Sequence, residues 1–311
     1  MKEVLFIRTH FERWRATETL ADAYSELTAD LAFAQTHYPH SRITLYLNNL
    51  ASALHNELYG NRREKWSRLL TFWMREVPDV MWRERRLLLV SLFIFMTSVL
   101  VGVVSTLGDA DFPRLVLGDA YMDMTLDNID KGKPMGVYGQ GEEGMMFLGI
   151  TLNNVMVSFG MFASGLLTSF ATGFQLFQNG LMVGCFDTFF YRQGLLGESL
   201  LATMLHGTLE LSAIIVAGAA GLAMGNGWLF PGTYPRLESF RRGARRGMKI
   251  VVGTVPLFVV AGFIESFVTR HTELNDLLRL SVIGASLLFV IYYFIVLPYK
   301  RNHHATRKPQ D

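Results

Sequence analysis

The chain has 311 residues, 50% of them hydrophobic and 18% charged, with a mean hydropathy of +0.24. That is too apolar for an ordinary soluble protein and too charged for a bare membrane bundle, so a soluble part joined to a membrane part is expected. The net charge is only +2, so no nucleic-acid partner is expected. The single cysteine, Cys185, excludes an intrachain disulfide and reads as a small buried hydrophobe.

The first residues, MKEVLFIRTHFERW, hold only a short apolar stretch before charges resume. Neither a signal peptide nor a lipid anchor is expected. Residues 8–38 predict an amphipathic helix, with Leu20, Tyr24, Leu27 and Leu31 on one face and Pro39 ending it. A second helix is predicted over 41–59, ended by Gly60. A third covers 61–76, where Trp66, Leu69, Leu70, Trp73 and Val77 share a face ringed by Arg62, Arg63, Lys65, Arg68 and Arg75. Such a helix suits a membrane surface as well as a soluble neighbour. Residues 1–86 are therefore expected to form a cytoplasmic helical domain with an amphipathic, interfacial helix.

Six membrane spans are predicted next, making residues 87–299 an all-α polytopic bundle. Their approximate ranges are 87–107, 146–172, 176–191, 196–224, 250–268 and 280–298. The third is the weakest, being short and holding Gln178, Asn179 and Asp187; it reads as a tilted, broken or re-entrant element. Pro231, Pro235 and the GARRG stretch make 225–249 look like a short connection plus a basic interfacial helix.

Loop charge sets the orientation. Arg83, Arg85 and Arg86 precede the first span, Arg241, Arg242, Arg245, Arg246 and Lys249 precede the fifth, and Lys300, Arg301, Arg307 and Lys308 mark a basic tail over 300–311. The 108–145 loop is acidic and poor in bases. Six spans put every basic cluster on one side, which predicts a cytoplasmic-membrane protein with both termini inside.

The polar residues within the spans are the candidates for function. Bilayer hydrocarbon penalises an ionisable group by roughly 2.5–3.5 kcal/mol on insertion scales. His206 and Glu210, four residues apart, share one helix face and should point at protein or water. A buried hydrogen-bonded pair, a proton or cation site, and a metal site all fit the pair. Two ligands fall short of the three or four that a metal usually takes and no HExxH occurs, so no metal is expected. Glu265 is a further candidate, nearer the outer boundary. Asn153 and Asn154 point in different directions on their helix, so one can bond a neighbouring helix while the other faces a cavity. Gln178, Asn179 and Gly180 read as turn chemistry between the second and third spans. Gly180 and Gly184 form a small-xxx-small pair, and Gly207, Gly218 and Gly221 suggest close helix packing around His206. Glu198 and Asp187 are expected at the membrane interfaces. No GxSxG, HExxH or GxxxxGK[ST] occurs, so neither an enzyme nor a bound cofactor is expected, and any nucleotide-driven step would need a partner subunit.

The order Asn153-Asn154, then Asn179-Gly180, then His206-Gly207 with Glu210 and a Gly-rich AGAAGLAMG stretch resembles the stage II sporulation protein M family. The resemblance covers about residues 85–300, and the preceding soluble helices resemble its longer, non-sporulation branch. It implies a non-enzymatic membrane scaffold component of a multiprotein envelope complex. The partners it implies are other membrane proteins and a MoxR-type ATPase, beside the lipid bilayer itself. A homo-oligomer is the other arrangement to expect. The alternative reading is a transporter or channel subunit using the polar residues around His206 and Glu210.

Overall fold

The computed structural model describes residues 20–59, 67–136, 142–269 and 275–305. Every regular element among the described residues is helical. The chain divides into two compact units, Met1–Leu69 and Leu70–Asp311.

The first unit is a helical hairpin of α1 (Leu20–His37) and α2 (Arg42–Tyr59). Of the expected apolar face, Leu27 is buried together with Ala34, Ile43, Leu47 and Ala51, and Leu31 packs against them. Pro39 sits in the turn, where Ser41 accepts from the Ile43 amide at 3.1 Å and the Thr44 hydroxyl donates to the Tyr38 carbonyl at 2.6 Å. The first satisfies an amide that the start of α2 leaves open, and the second a carbonyl just past the end of α1. The rest of the predicted first helix, residues 8–19, lies outside the described residues, as do Arg62, Arg63, Lys65 and Trp66 of the third.

The third predicted helix begins as α3 (Ser67–Thr71), which straddles the division, and continues as a π-helical turn, Phe72–Glu76. The domain boundary expected at 86 therefore falls at 69/70 instead. The physical reason is packing: in α4 (Val77–Arg83), Val77, Val80 and Met81 are buried in the core of the second unit. The expected single face is split, since Val77 is buried while Leu69 and Leu70 are exposed.

The second unit continues with α5 (Arg85–Gly108), the short α6 (Phe112–Leu117) and α7 (Asp119–Asp130) of the acidic connection, and α8 (Glu143–Ser164). Then come α9 (Ser169–Arg192), α10 (Leu196–Leu229) and α11 (Arg236–Ile264), the last continued by a π-helical turn, Glu265–Thr269. It closes with α12 (Asp276–Ile291), a π-helical turn at Tyr292–Val296 and α13 (Leu297–Ala305). Five stretches are long and apolar enough to cross a membrane: Arg85–Gly108, Glu143–Ser164, Leu196–Leu229, Arg236–Thr269 and Asp276–His303.

The remaining long helix, α9, corrects two expectations. It is not short, at 24 residues. The break before it falls at 165–168, so Gln178-Asn179-Gly180 lies inside the helix and is not a turn. Gly180 is there for proximity: a Cβ on it would strike the Ser98 side chain and the Phe95 carbonyl of α5. Further along, Gly184 meets Val99 and Arg192 donates to the Thr106 carbonyl at 2.9 Å. Positions rise together on both helices, so α9 runs parallel to α5 and covers the same height. Of its polar residues, Asn179 and Asp187 are part-buried while Gln178 is exposed.

α10 is the central post, packed on α5, α8, α9, α11 and α12. The chain enters α11 without the separate interfacial helix expected over 225–249: the basic stretch and the fifth span are one helix from Arg236. Its base is tied to the segment before α5. Lys249 pairs with Glu76 at 2.6 Å, Arg246 with Glu84, and Arg301 with Asp79 through two contacts of 2.9 and 3.2 Å. One end of the bundle thus gathers the basic residues that precede the fifth span and follow the sixth. The basic tail is helical at its start, through Ala305, while Arg307 and Lys308 lie outside the described residues.

Candidate functional site

Three helices deliver the polar cluster at the other end. His206 lies ten residues past the start of α10, about 15 Å along the axis. Glu210 follows one turn later on the same face. Glu265 and Thr269 come from the π-helical turn that ends α11, and Asn154 from the middle of α8. One ligand atom each from His206, Glu210 and Glu265 lie within 4.8 Å of one another.

The contacts define how each group is held. His206 is buried, and its Nδ1 is 3.2 Å from the Thr269 hydroxyl. That hydroxyl also donates to the Ile264 carbonyl at 3.3 Å, so it accepts from Nδ1–H. The other ring nitrogen, Nε2, faces Glu265 Oε2 at 3.9 Å. The Asn154 side chain reaches the Glu210 carboxylate.

The cluster borders open space. A cavity of about 600 Å³ is lined by Asn153, Asn154, His206, Gly207, Glu210 and Glu265, with Val116, Leu117 and Tyr121 of α6 and α7 along another wall. Asp187 and Thr203 also line it, and the Asp187 Oδ1 and Thr203 hydroxyl have no hydrogen-bond partner among the described residues. Burial pushes the Tyr121 phenol above its ordinary range, so this ring meets the cavity as a neutral donor.

The sequence-derived set is thus partly reassembled. Asn153, Asn154, His206, Glu210 and Glu265 come together. Gln178 and Asn179 do not: they line a separate hollow with Leu115 and Leu181, and Asn179 donates to the Gln175 carbonyl of its own helix at 2.9 Å. Asp187 also lines the cavity. Among the glycines, Gly180, Gly184, Gly218 and Gly221 do make close packing, since a Cβ on any of them would collide with a neighbouring helix. Gly207 does not: a Cβ there would find only ordinary contacts at 3.9 Å. Its bare backbone forms part of the cavity wall. Thr269 and Thr203 escaped the sequence reading, because a threonine in an apolar helix carries no signal of its own.

Fold and cavity together define an all-helical, polytopic membrane protein with an ionisable cluster enclosed near one end of its bundle. The chain belongs to the stage II sporulation protein M family: the family model, Stage II sporulation protein M, matches residues 91–270 and takes in every residue that lines the cavity. A second model, for a domain of unknown function, matches residues 4–60. No curated protein and no solved structure matches the chain.

Proposed function

We propose that this protein is a non-enzymatic, solute-binding membrane subunit of transporter or channel type, working within a multiprotein envelope assembly. The observation that carries the reading is the cavity. A pure scaffold has reason to keep intramembrane polar groups paired and dry, whereas here three carboxylates and an imidazole face a common space. A membrane-embedded ionisable group that faces a cavity is the pattern of an ion or polar-solute path. The gathering of basic residues at the far end of the bundle supports a cytoplasmic-membrane location with that end, and both termini, inside.

The test is access. In a Cys185→Ala background, Thr203→Cys in proteoliposomes should react with a small water-soluble thiol reagent from one side, and the reconstituted protein should show solute flux that Glu210→Gln abolishes. An unreactive Thr203→Cys in a folded protein would remove the reading.

One observation favours the scaffold role as a second reading. The α1–α2 hairpin has its own core yet leaves Phe33, Leu45 and Tyr46 exposed. Exposed apolar side chains of this kind suit a docking partner such as another membrane protein or a MoxR-type ATPase. Stoichiometric co-purification of such partners through a C-terminal tag, lost on Phe33→Ser/Tyr46→Ser, tests it.

A further inference from the structure

We propose that His206, Glu210 and Glu265 form the binding site of a divalent first-row transition-metal cation, of which Zn²⁺ is the probe the donor set fits best. The inference deepens the solute-binding reading and rests on it, since the metal is the class of solute the cavity would take.

Charge is the first argument. The residues lining the cavity include the carboxylates of Asp187, Glu210 and Glu265, and none of the described residues lining it is Lys or Arg. Carboxylates taken out of water cost several kcal/mol each unless they are compensated. No Lys or Arg of the wall supplies that compensation, and a dication would.

Geometry is the second. His206 Nε2 and Glu265 Oε2 face each other at 3.9 Å, too far for a hydrogen bond. In the tautomer that donates Nδ1–H to Thr269, both facing atoms are lone-pair acceptors. Two acceptors held in opposition repel unless something positive lies between them. The Glu210 carboxylate joins them within 4.8 Å. Ligand bonds of about 2.0–2.2 Å need these atoms to draw in by on the order of 1 Å, which side-chain rotation provides.

The support around the ligands is the third. Metal-bound histidines donate their other ring N–H to an oxygen, which fixes the tautomer, and Thr269 fills that place for His206. Asn154 steadies Glu210 in the same way. Three protein ligands on one wall leave a coordination position open to the cavity, where Gly207 adds no side chain and the free Asp187 Oδ1 and Thr203 hydroxyl can bond a metal-bound water. One imidazole with two carboxylates favours Zn²⁺, Mn²⁺ or Fe²⁺ over Mg²⁺ and Ca²⁺, which take oxygen ligands, and over Cu(I), which takes sulfur.

The experiment is Zn²⁺ titration of the full chain, purified in detergent and stripped with chelator, followed by calorimetry and by the visible spectrum of the Co²⁺ form. One Zn²⁺ per chain is expected, with Glu210→Gln and Glu265→Gln each weakening it at least ~100-fold and Thr269→Val about 10- to 100-fold. Gln178→Ala, which lines a different hollow and takes no part in the site, should bind as the parent does. The isosteric Gln variants guard against mere misfolding, and each is checked for a monodisperse elution profile. Absence of stoichiometric binding, or binding indifferent to both Gln variants, overturns the proposal; the carboxylates would then be neutralised by protons. Thiol access at Thr203→Cys distinguishes the failures: reactive Thr203→Cys without Zn²⁺ binding sinks only the metal site, whereas unreactive Thr203→Cys sinks the solute-binding reading too.

Discussion

The two halves of α10 solve opposite problems with one continuous helix. From Ala213 to Gly225 all but Ile215 are buried, largely as Ala and Gly, and backbones of neighbouring helices come into contact. Ser91 donates to the Ile215 carbonyl at 2.6 Å, Gly218 lies under Ser91 and Leu176, and Gly221 under Met161 and Thr172. From Ser199 to Glu210 the same helix presents Thr203, His206 and Glu210 to a cavity. Lipid is as apolar as leucine, so burial alone does not hold membrane helices together; close van der Waals contact does. The small-residue half supplies that contact and leaves the other half free to keep a space open.

The sharpest way to break this contrast is to add bulk to the dry half. Gly221→Leu would drive a side chain into the Met161 carbonyl, which cannot move aside as a flexible side chain would. A cost of about 3 kcal/mol or more is expected, seen as loss of the monodisperse species or a large fall in thermal midpoint in detergent. Gly207→Ala, in the cavity half, should leave folding intact. Equal damage from both would mean that the two halves do not differ as described.

A smaller effect separates the two roles at Glu210. Asn154→Ala leaves the partly buried Glu210 carboxylate without its amide partner, a loss of about 1–3 kcal/mol. Glu210→Gln removes the charge and keeps an amide that can bond Asn154, so its stability should match or exceed that of the parent. Thermal unfolding of both variants in one detergent orders them. A Gln variant less stable than the Ala variant would contradict the assignment of Asn154 as the supporting group.

Much of this architecture is legible in the residues alone, and what is not has a physical cause. Long apolar runs give the spans directly, because length and hydropathy are local properties. The pairing of His206 with Glu210 is local too, a matter of spacing on one helix. Glu265 is visible as an intramembrane acid, but its meeting with His206 depends on how α11 lies against α10, which no spacing encodes. Gln178-Asn179-Gly180 misleads for a related reason. Gly serves turns and close helix approach equally well, and only Ser98 and Phe95 on the facing helix decide between them. The length of α9 is hidden likewise: its polar residues lower its hydropathy, while α5, on which it packs, is far away in sequence.

The smallest predicted effects test the contrast one hydroxyl at a time. Ser91 and Thr203 are both small hydroxyl residues in the second unit, one in the dry seam and one on the cavity wall. Ser91→Ala removes a bond to the Ile215 carbonyl that nothing else in the seam replaces, at a cost of about 1 kcal/mol. Thr203→Ala removes a hydroxyl that bonds no described protein group, so unfolding should shift by a few tenths of a kcal/mol at most. The same Thr203 variant should weaken Zn²⁺ binding only slightly, because its hydroxyl would reach the metal through water and not directly. If Thr203→Ala costs as much as Ser91→Ala, the Thr203 hydroxyl is held by protein, and the cavity is narrower there than its walls suggest.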